Sequence, residues 1–184
     1  MKKGSLIVTS AIIVILSLVW IILTPVFFPA NASEVDTTAP HPGFIAPDFT
    51  LFTPEEEMTS LTDFRGQPVL IFLWASWCSV CKRTMPGLQS VYEDFNSKGF
   101  EILAVNTTFQ DTLSTAVNSF QEGEYTFPLI LDIEGYMSQT YRLYALPTAI
   151  LVGSDGRVLD VVIGSGISEG YLRSRLDQIF SITE

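Results

Sequence analysis

The chain has 184 residues, of which 47% are hydrophobic and 16% are charged, so it is long enough for one ordinary domain and too apolar for a disordered acidic tail. Its 20 acidic and 10 basic residues give a net charge of −10, and a chain this acidic lacks the basic surface that nucleic-acid binding requires. With 2 cysteines and 1 histidine it cannot complete a four-ligand Cys/His zinc site. No metal and no bound cofactor are expected, and any cysteine chemistry must come from that pair.

An apolar segment lies close to the N-terminus. Residues 6–23 are nearly all aliphatic, follow two lysines and precede the first acidic residue, Glu34. About 18 residues of helix span roughly 27 Å, close to a bilayer core, and the positive flank places the N-terminus in the cytoplasm. We therefore expect residues 1–32 to be a signal anchor with one transmembrane helix in the cell membrane, which places the rest of the chain outside the cytoplasm. Because Ala30-Asn31-Ala32 resembles a signal-peptidase site, secretion after cleavage at Ala32 is the alternative.

The remainder of the chain divides into a tether and a folded domain. Residues 33–46 are rich in Ala, Thr and Pro and predict an extended tether, so the domain is expected over residues 47–184. In the domain, apolar runs of strand length alternate with segments of helical spacing, which indicates an α/β fold. Strands are predicted at 69–74, 101–106, 127–131, 148–152 and 158–163, helices at 81–96 (kinked by Pro86), 111–121, 135–144 and 168–180, and an N-terminal β-hairpin at 49–53 and 58–61.

The most specific motif is Trp77-Cys78-Ser79-Val80-Cys81-Lys82, two cysteines three positions apart where a buried strand passes into a helix. This spacing in a first helical turn allows a disulfide with little backbone movement. Cys78 also lies where free N–H groups and the helix dipole stabilise a thiolate. Cys78 is therefore the predicted catalytic nucleophile, with Lys82 and Arg83 lowering the pKa of its thiol further, and the more shielded Cys81 is the predicted resolving thiol.

Three other interpretations of the cysteine pair remain: half of a zinc site, a structural disulfide, or two unrelated buried thiols. Zinc lacks its further ligands. A structural bridge across so short a loop adds little stability, since loop-entropy stabilisation grows with loop length. A redox-active Cys78–Cys81 disulfide is thus the leading interpretation.

A second feature is Leu146-Pro147-Thr148, in which a proline directly precedes an apolar strand. Proline is disfavoured in strand ladders, and a cis peptide bond would explain its position. An ordinary proline at the start of a strand is the alternative, since only about 5–6% of X–Pro bonds in folded proteins are cis.

Several motifs together resemble the thioredoxin-like fold, a central mixed β-sheet flanked by helices, and within it the membrane-anchored TlpA/ResA type of extracytoplasmic disulfide reductase. They lie between Phe44 and Phe180. The matching motifs are Ala46-Pro47-Asp48-Phe49, Leu61-Thr62-Asp63-Phe64-Arg65-Gly66, Phe72-Leu73-Trp74-Ala75-Ser76-Trp77-Cys78, Met85-Pro86, Leu146-Pro147-Thr148 and Asp155-Gly156.

This resemblance implies that Pro147 is cis and faces the cysteine pair, and that the backbone of Leu146 hydrogen-bonds a bound substrate chain. Trp77 and Pro147 would border the substrate groove. The resemblance further implies a membrane thiol carrier as electron donor, and a role in cytochrome c maturation (cytochrome c biogenesis) or in other reduction of exported proteins.

Two positions depart from the resemblance. Many relatives carry Glu three residues after the second cysteine, where this chain has Thr84, and thioredoxins carry a buried Asp six residues before the first cysteine, where this chain has Phe72. Neither side chain can accept a proton as a carboxylate does, so water or another acid is expected to handle the thiol proton.

The function predicted from the sequence is therefore an extracytoplasmic thiol-disulfide oxidoreductase that reduces disulfides of exported proteins. A disulfide oxidant or isomerase is an alternative, because a strongly stabilised Cys78 thiolate makes the pair oxidising. A thiol peroxidase would carry Thr three residues before the reactive cysteine, where this chain has Ala75. A non-catalytic binding module that holds an exported partner around Trp77 and Pro147 is the alternative outside enzymology.

Overall fold

The computed structural model describes residues 12–20 and 38–182. The chain divides into two units between Asp36 and Thr37. In the first unit, residues 12–20 are helical and exposed. Within the described residues, no helix combines the length and the apolar character needed to cross a membrane. The other residues of the predicted transmembrane segment, and the predicted cleavage site at Ala32, lie outside the described residues.

Seven strands of the second unit form one mixed sheet. Along the chain they are β1 (Thr50–Phe52), β2 (Met58–Ser60), β3 (Val69–Trp74), β4 (Glu101–Asn106), β5 (Leu129–Leu131), β6 (Thr148–Val152) and β7 (Val158–Ile163). Their order across the sheet is β2-β1-β5-β4-β3-β6-β7. Strands β3, β4 and β5 are parallel, whereas β1 pairs antiparallel with β2 and β5, and β6 pairs antiparallel with β3 and β7.

The register of β3 and β6 determines which loops meet. Leu73, near the end of β3, lies opposite Thr148, the first residue of β6. The loop that follows β3 and the loop that precedes β6 therefore leave the sheet at the same end. The first of these loops ends at Cys78, one turn before Cys81, and the second carries Pro147.

Four helices cover the sheet: α1 (Ser79–Phe95), α2 (Leu113–Glu122), α3 (Tyr136–Thr140) and α4 (Glu169–Ile182). All six residues of β3 are buried, and they alternate between two cores. The first core contains Leu70, Phe72 and Trp74 with residues of α1 and α4, and the second contains Val69, Ile71 and Leu73 with Met137 of α3. Burial on both faces explains why β3 is a continuous apolar run rather than an alternating one.

Several boundaries differ from the sequence prediction. Helix α1 begins at Ser79, earlier than predicted, because Cys78 is its N-cap. Pro86 lies inside this helix, and the kink expected there stays a prediction. Strand β5 begins only at Leu129, after Pro128, which has no N–H to donate to a ladder. Helix α3 is shorter than the predicted 135–144, and the chain beyond it turns into a left-handed conformation at Arg142 with φ 49°. Ser168 precedes α4 as its cap rather than as its first residue, its Oγ accepting the N–H of Tyr171 at 3.2 Å.

The last part of the predicted tether is attached to the domain. The N–H of Gly43 donates to the carbonyl of Val158 at 2.9 Å, and the N–H of Val158 donates back to the carbonyl of Phe44 at 2.8 Å. Ala46, only 1% exposed, lies in the second core. The folded part of the chain therefore begins before residue 47, because the backbone of residues 43–46 continues the pairing at the edge of β7.

Candidate active site

Cys78 and Cys81 are joined by a disulfide at the N-terminal end of α1, with an S–S distance of 2.09 Å and a Cα–Cα distance of 5.2 Å. Cys78 is the N-cap residue of the helix, and its Sγ accepts the backbone N–H of Cys81 at 3.1 Å. The sulfur thus lies where the unpaired N–H groups of the first turn and the helix dipole stabilise a negative charge. In the reduced protein, this is the position at which a Cys78 thiolate is favoured.

The two cysteines differ in burial. Cys78 is 6% exposed and Cys81 is fully buried. Only Cys78 therefore presents surface to a substrate from this position, while Cys81 is placed to attack a disulfide formed on Cys78. Lys82 and Arg83, predicted to lower the pKa of Cys78, are exposed residues of the first helical turns; solvent screens their charge, and their effect on Cys78 stays a prediction.

Trp77 and the Leu146–Pro147 loop supply the surface beside the dithiol end of α1. The side chain of Trp77 is 60% exposed, and its Nε1 donates to the carbonyl of Gln110 at 3.0 Å. The Leu146–Pro147 peptide bond is cis, as the family resemblance implies. Among the described residues, neither the N–H nor the carbonyl of Leu146 has a hydrogen-bond partner. Leu146 can therefore offer both groups to an extended peptide.

Phe72 and Thr84 occupy the two positions at which relatives carry acids. Phe72 is fully buried in the same core as both cysteines. The hydroxyl of Thr84 donates to the carbonyl of Val80 at 3.0 Å, one turn earlier in α1. Both side chains are thus committed to packing or to the helix, which leaves the identity of the proton acceptor as predicted from sequence: water or another acid.

Asp111 is a residue near the site that the sequence prediction did not single out. Its carboxylate accepts the N–H and the hydroxyl of Ser76, each at 2.6 Å, the side-chain amide of Asn106 at 3.1 Å and the N–H of Thr112 at 2.8 Å. Partial desolvation raises the pKa of Asp111, but these hydrogen bonds, led by those from Ser76, outweigh it and hold the pKa below its usual value. Asp111 is therefore ionised at neutral pH, directly behind the loop that carries Cys78.

The sequence around Asp111 contains no signal for this contact. The sequence prediction placed Asp111 as the first residue of helix 111–121, a position where an acidic residue is common because it faces the positive end of the helix dipole. The partner, Ser76, is 35 positions away in sequence, and only the pairing of β3 with β4 brings the two together. Within the described residues, no group of three or more His, Cys, Asp or Glu residues is arranged to hold a metal ion.

Comparisons with known proteins agree with this geometry. Residues 42–161 match the AhpC/TSA family. Thiol-disulfide oxidoreductase ResA of Geobacillus thermodenitrificans is 34% identical over 145 residues, covering 78% of this chain and 81% of that protein. ResA of Geobacillus kaustophilus is 32% identical over 175 residues, covering 94% and 95%. Among solved structures, StoA from Bacillus subtilis is similar with a TM-score of 0.61 at 27% identity, covering 70% of this chain and 95% of StoA.

Proposed function

This chain belongs to the AhpC/TSA family and to the ResA-like thiol-disulfide oxidoreductases, and from that membership we propose that it reduces disulfides of exported proteins outside the cytoplasm. The observation that carries the proposal is the position of Cys78. Cys78, the N-cap of α1, is slightly exposed as a residue, and its Sγ accepts the N–H of the fully buried Cys81. This pairing of an accessible sulfur with a shielded one suits attack followed by resolution.

The proposed reaction is two successive thiol-disulfide exchanges. The Cys78 thiolate attacks one sulfur of a substrate disulfide, so that a Cys78–substrate disulfide forms and the other substrate sulfur leaves as a thiolate that takes up a proton. Cys81, having lost its proton, then attacks Cys78, which closes the Cys78–Cys81 disulfide and releases the second substrate thiol. The substrate gains two electrons, which the cysteine pair loses, and two protons, of which Cys81 releases one and solvent supplies the other because Cys78 is already ionised.

We assign substrate binding to Trp77, Leu146 and Pro147. The indole of Trp77 is a large exposed apolar surface held in place by its bond to Gln110. The free N–H and carbonyl of Leu146 can pair with the backbone of a substrate segment, and the buried Pro147 fixes the start of β6 beneath it. These contacts favour a polypeptide over a small disulfide as substrate.

Replacing Trp77 with Ala is expected to lower kcat/KM for a disulfide-bonded protein about tenfold, because truncating a central aromatic contact typically costs more than about 1 kcal/mol of binding free energy. The same variant should reduce hydroxyethyl disulfide within about twofold of the wild-type rate. Phe52→Ala is the matched control, since Phe52 is a 47% exposed aromatic residue on β1. Equal losses on the protein and on the small disulfide would contradict the assignment of Trp77 to substrate binding.

The direction of electron flow is tested by the reduction potential of the pair. We expect a value near or below about −250 mV for the full-length chain equilibrated with glutathione or thioredoxin, the range of known reductants. A value near about −120 mV would identify an oxidant or isomerase instead, because such proteins stabilise the reduced thiolate. A wild-type protein with no reversible Cys78–Cys81 couple would overturn the redox function.

The proposed location rests on residues 1–46. Residues 6–23 supply enough apolar chain to cross a bilayer once, and the lysines before them favour a cytoplasmic N-terminus. We propose that residues 1–32 anchor the chain in the cell membrane, with residues 47–184 outside, and that a membrane thiol carrier reduces the pair again. Cytochrome c maturation is the proposed setting. Recovery of residues 33–184 in the soluble fraction, after cleavage that follows Ala32, would show instead that the protein is secreted.

A further inference from the structure

The short connection between β3 and Cys78 forms several hydrogen bonds with residues 107–111, the segment that follows β4. The N–H of Thr107 donates to the carbonyl of Trp74 at 2.9 Å. Asp111 accepts both donors of Ser76, and the indole of Trp77 donates to Gln110. The residues on either side of Ala75 are thus tied to one neighbouring loop, so the position of Cys78 depends on that loop.

Asp111 is the charged group in this attachment. Each of its two carboxylate oxygens accepts two hydrogen bonds, one from Ser76 and one from either Asn106 or Thr112. Ser76 itself is 5% exposed, so its N–H and hydroxyl need a partner inside the protein. The carboxylate supplies that partner. It therefore places a negative charge next to Ser76, which precedes Cys78 by two residues.

We propose that Asp111 is a positioning residue that holds the Cys78 loop through Ser76, and that its negative charge favours the disulfide form of the pair and so makes the protein a stronger reductant. This inference rests on the proposed function and deepens it. It concerns how strongly the pair reduces, not which sulfur attacks.

The physical reason is the charge that appears on Cys78 when the pair is reduced. A thiolate on Cys78 is attracted by the N–H groups at the start of α1 and repelled by a nearby carboxylate. A weaker thiolate means a less stable reduced state, and a pair whose reduced state is less stable has a lower reduction potential. Lys82 and Arg83 act in the opposite sense, but they are exposed and screened by solvent, whereas Asp111 is partly buried.

The test compares Asp111→Asn with the wild-type full-length chain. The amide keeps the shape of the side chain and one accepting oxygen, and the Ser76 hydroxyl can rotate to accept from the new NH₂ group. We expect the equilibrium constant against glutathione to shift about tenfold toward the dithiol, a rise of about 30 mV in potential. Should Asp111→Asn not fold, Asp111→Ser, with a shorter neutral acceptor, takes its place.

Two further variants separate charge from hydrogen bonding. Ser76→Ala removes one hydrogen bond and keeps the carboxylate, so its equilibrium constant should stay within about threefold of wild type. Asp48→Asn is the matched control, because Asp48 also accepts the N–H and the hydroxyl of one residue, Thr62, at 3.1 and 3.3 Å. Its potential should not change.

The inference would be overturned if the equilibrium constant of Asp111→Asn against glutathione lay within twofold of the wild-type value. An equal shift in Ser76→Ala would also overturn it, because loop geometry would then explain the effect without the charge. Both results leave a working Cys78–Cys81 couple in the wild type. They are therefore distinct from failure of the proposed function, in which the wild type itself has no reversible couple.

Discussion

Cys78→Ser is expected to abolish disulfide reduction, with the rate for a disulfide-bonded protein falling at least about 1000-fold, as removal of a catalytic nucleophile does in other enzymes. A serine hydroxyl at the N-cap of α1 is not ionised near neutral pH and cannot form a mixed disulfide. Cys81 is fully buried, so it cannot attack a protein substrate in place of Cys78. The measurement is the steady-state reduction of a disulfide-bonded protein under a chemical reductant.

Cys81→Ser is the companion variant that distinguishes catalysis from binding. It keeps the attacking sulfur and removes the resolving one, so a covalent Cys78–substrate complex should accumulate, visible as a band on a gel without reductant that disappears when reductant is added. A partner retained equally by wild type and Cys78→Ser, with no covalent complex in Cys81→Ser, would favour a non-catalytic binding module.

Leu176→Ala is expected to produce the largest loss of stability among the substitutions considered. Leu176 of α4 is fully buried in the core that also contains both cysteines. Truncating a buried leucine costs roughly 2–5 kcal/mol, because the lost apolar contact is accompanied by a cavity that surrounding residues fill only in part. The measurement is the free energy of unfolding from urea denaturation of the oxidised protein.

Asp177→Ala is the control for this loss of stability. Asp177 is the next residue of α4, and its side chain is exposed. The free energy of unfolding of the Asp177→Ala protein should therefore differ from wild type by less than about 0.5 kcal/mol. A similar small change in Leu176→Ala would show that α4 contributes little to the core. The covering of the cysteine face would then have to come from α1 and α2.

The central part of the fold and the dithiol were predictable because each depends on local sequence. The continuous apolar run 69–74 can only be buried on both faces, and β3 is buried in that way. The cysteine spacing at a strand-to-helix junction placed Cys78 at the start of α1, where the structure has it as N-cap. The alternation of strands and helices indicated an α/β fold, and the thioredoxin-like mixed sheet was implied by the family resemblance of several motifs taken together.

What the sequence did not reveal depends on contacts between distant segments. Asp111 resembles an ordinary helix cap until the pairing of β3 with β4 brings it to Ser76. The start of the domain was placed at residue 47, because an Ala- and Pro-rich stretch predicts an extended chain and cannot show that its backbone pairs with Val158. Local composition indicates which backbone conformation a segment prefers, but it does not indicate which sheet edge the segment pairs with.

That backbone pairing has a consequence for how the domain is presented to other proteins. Val158 lies opposite Val152, which in turn lies opposite Val69 at the beginning of β3, so residues 43–44 join the sheet about 17 Å from the end that carries the dithiol, counted as five strand residues. A load applied to the chain there, whether by a solid support, a fused protein or a membrane, acts on the side of the sheet remote from Cys78. A substrate that binds at Cys78 therefore does not meet the backbone pairing of residues 43–44 with Val158.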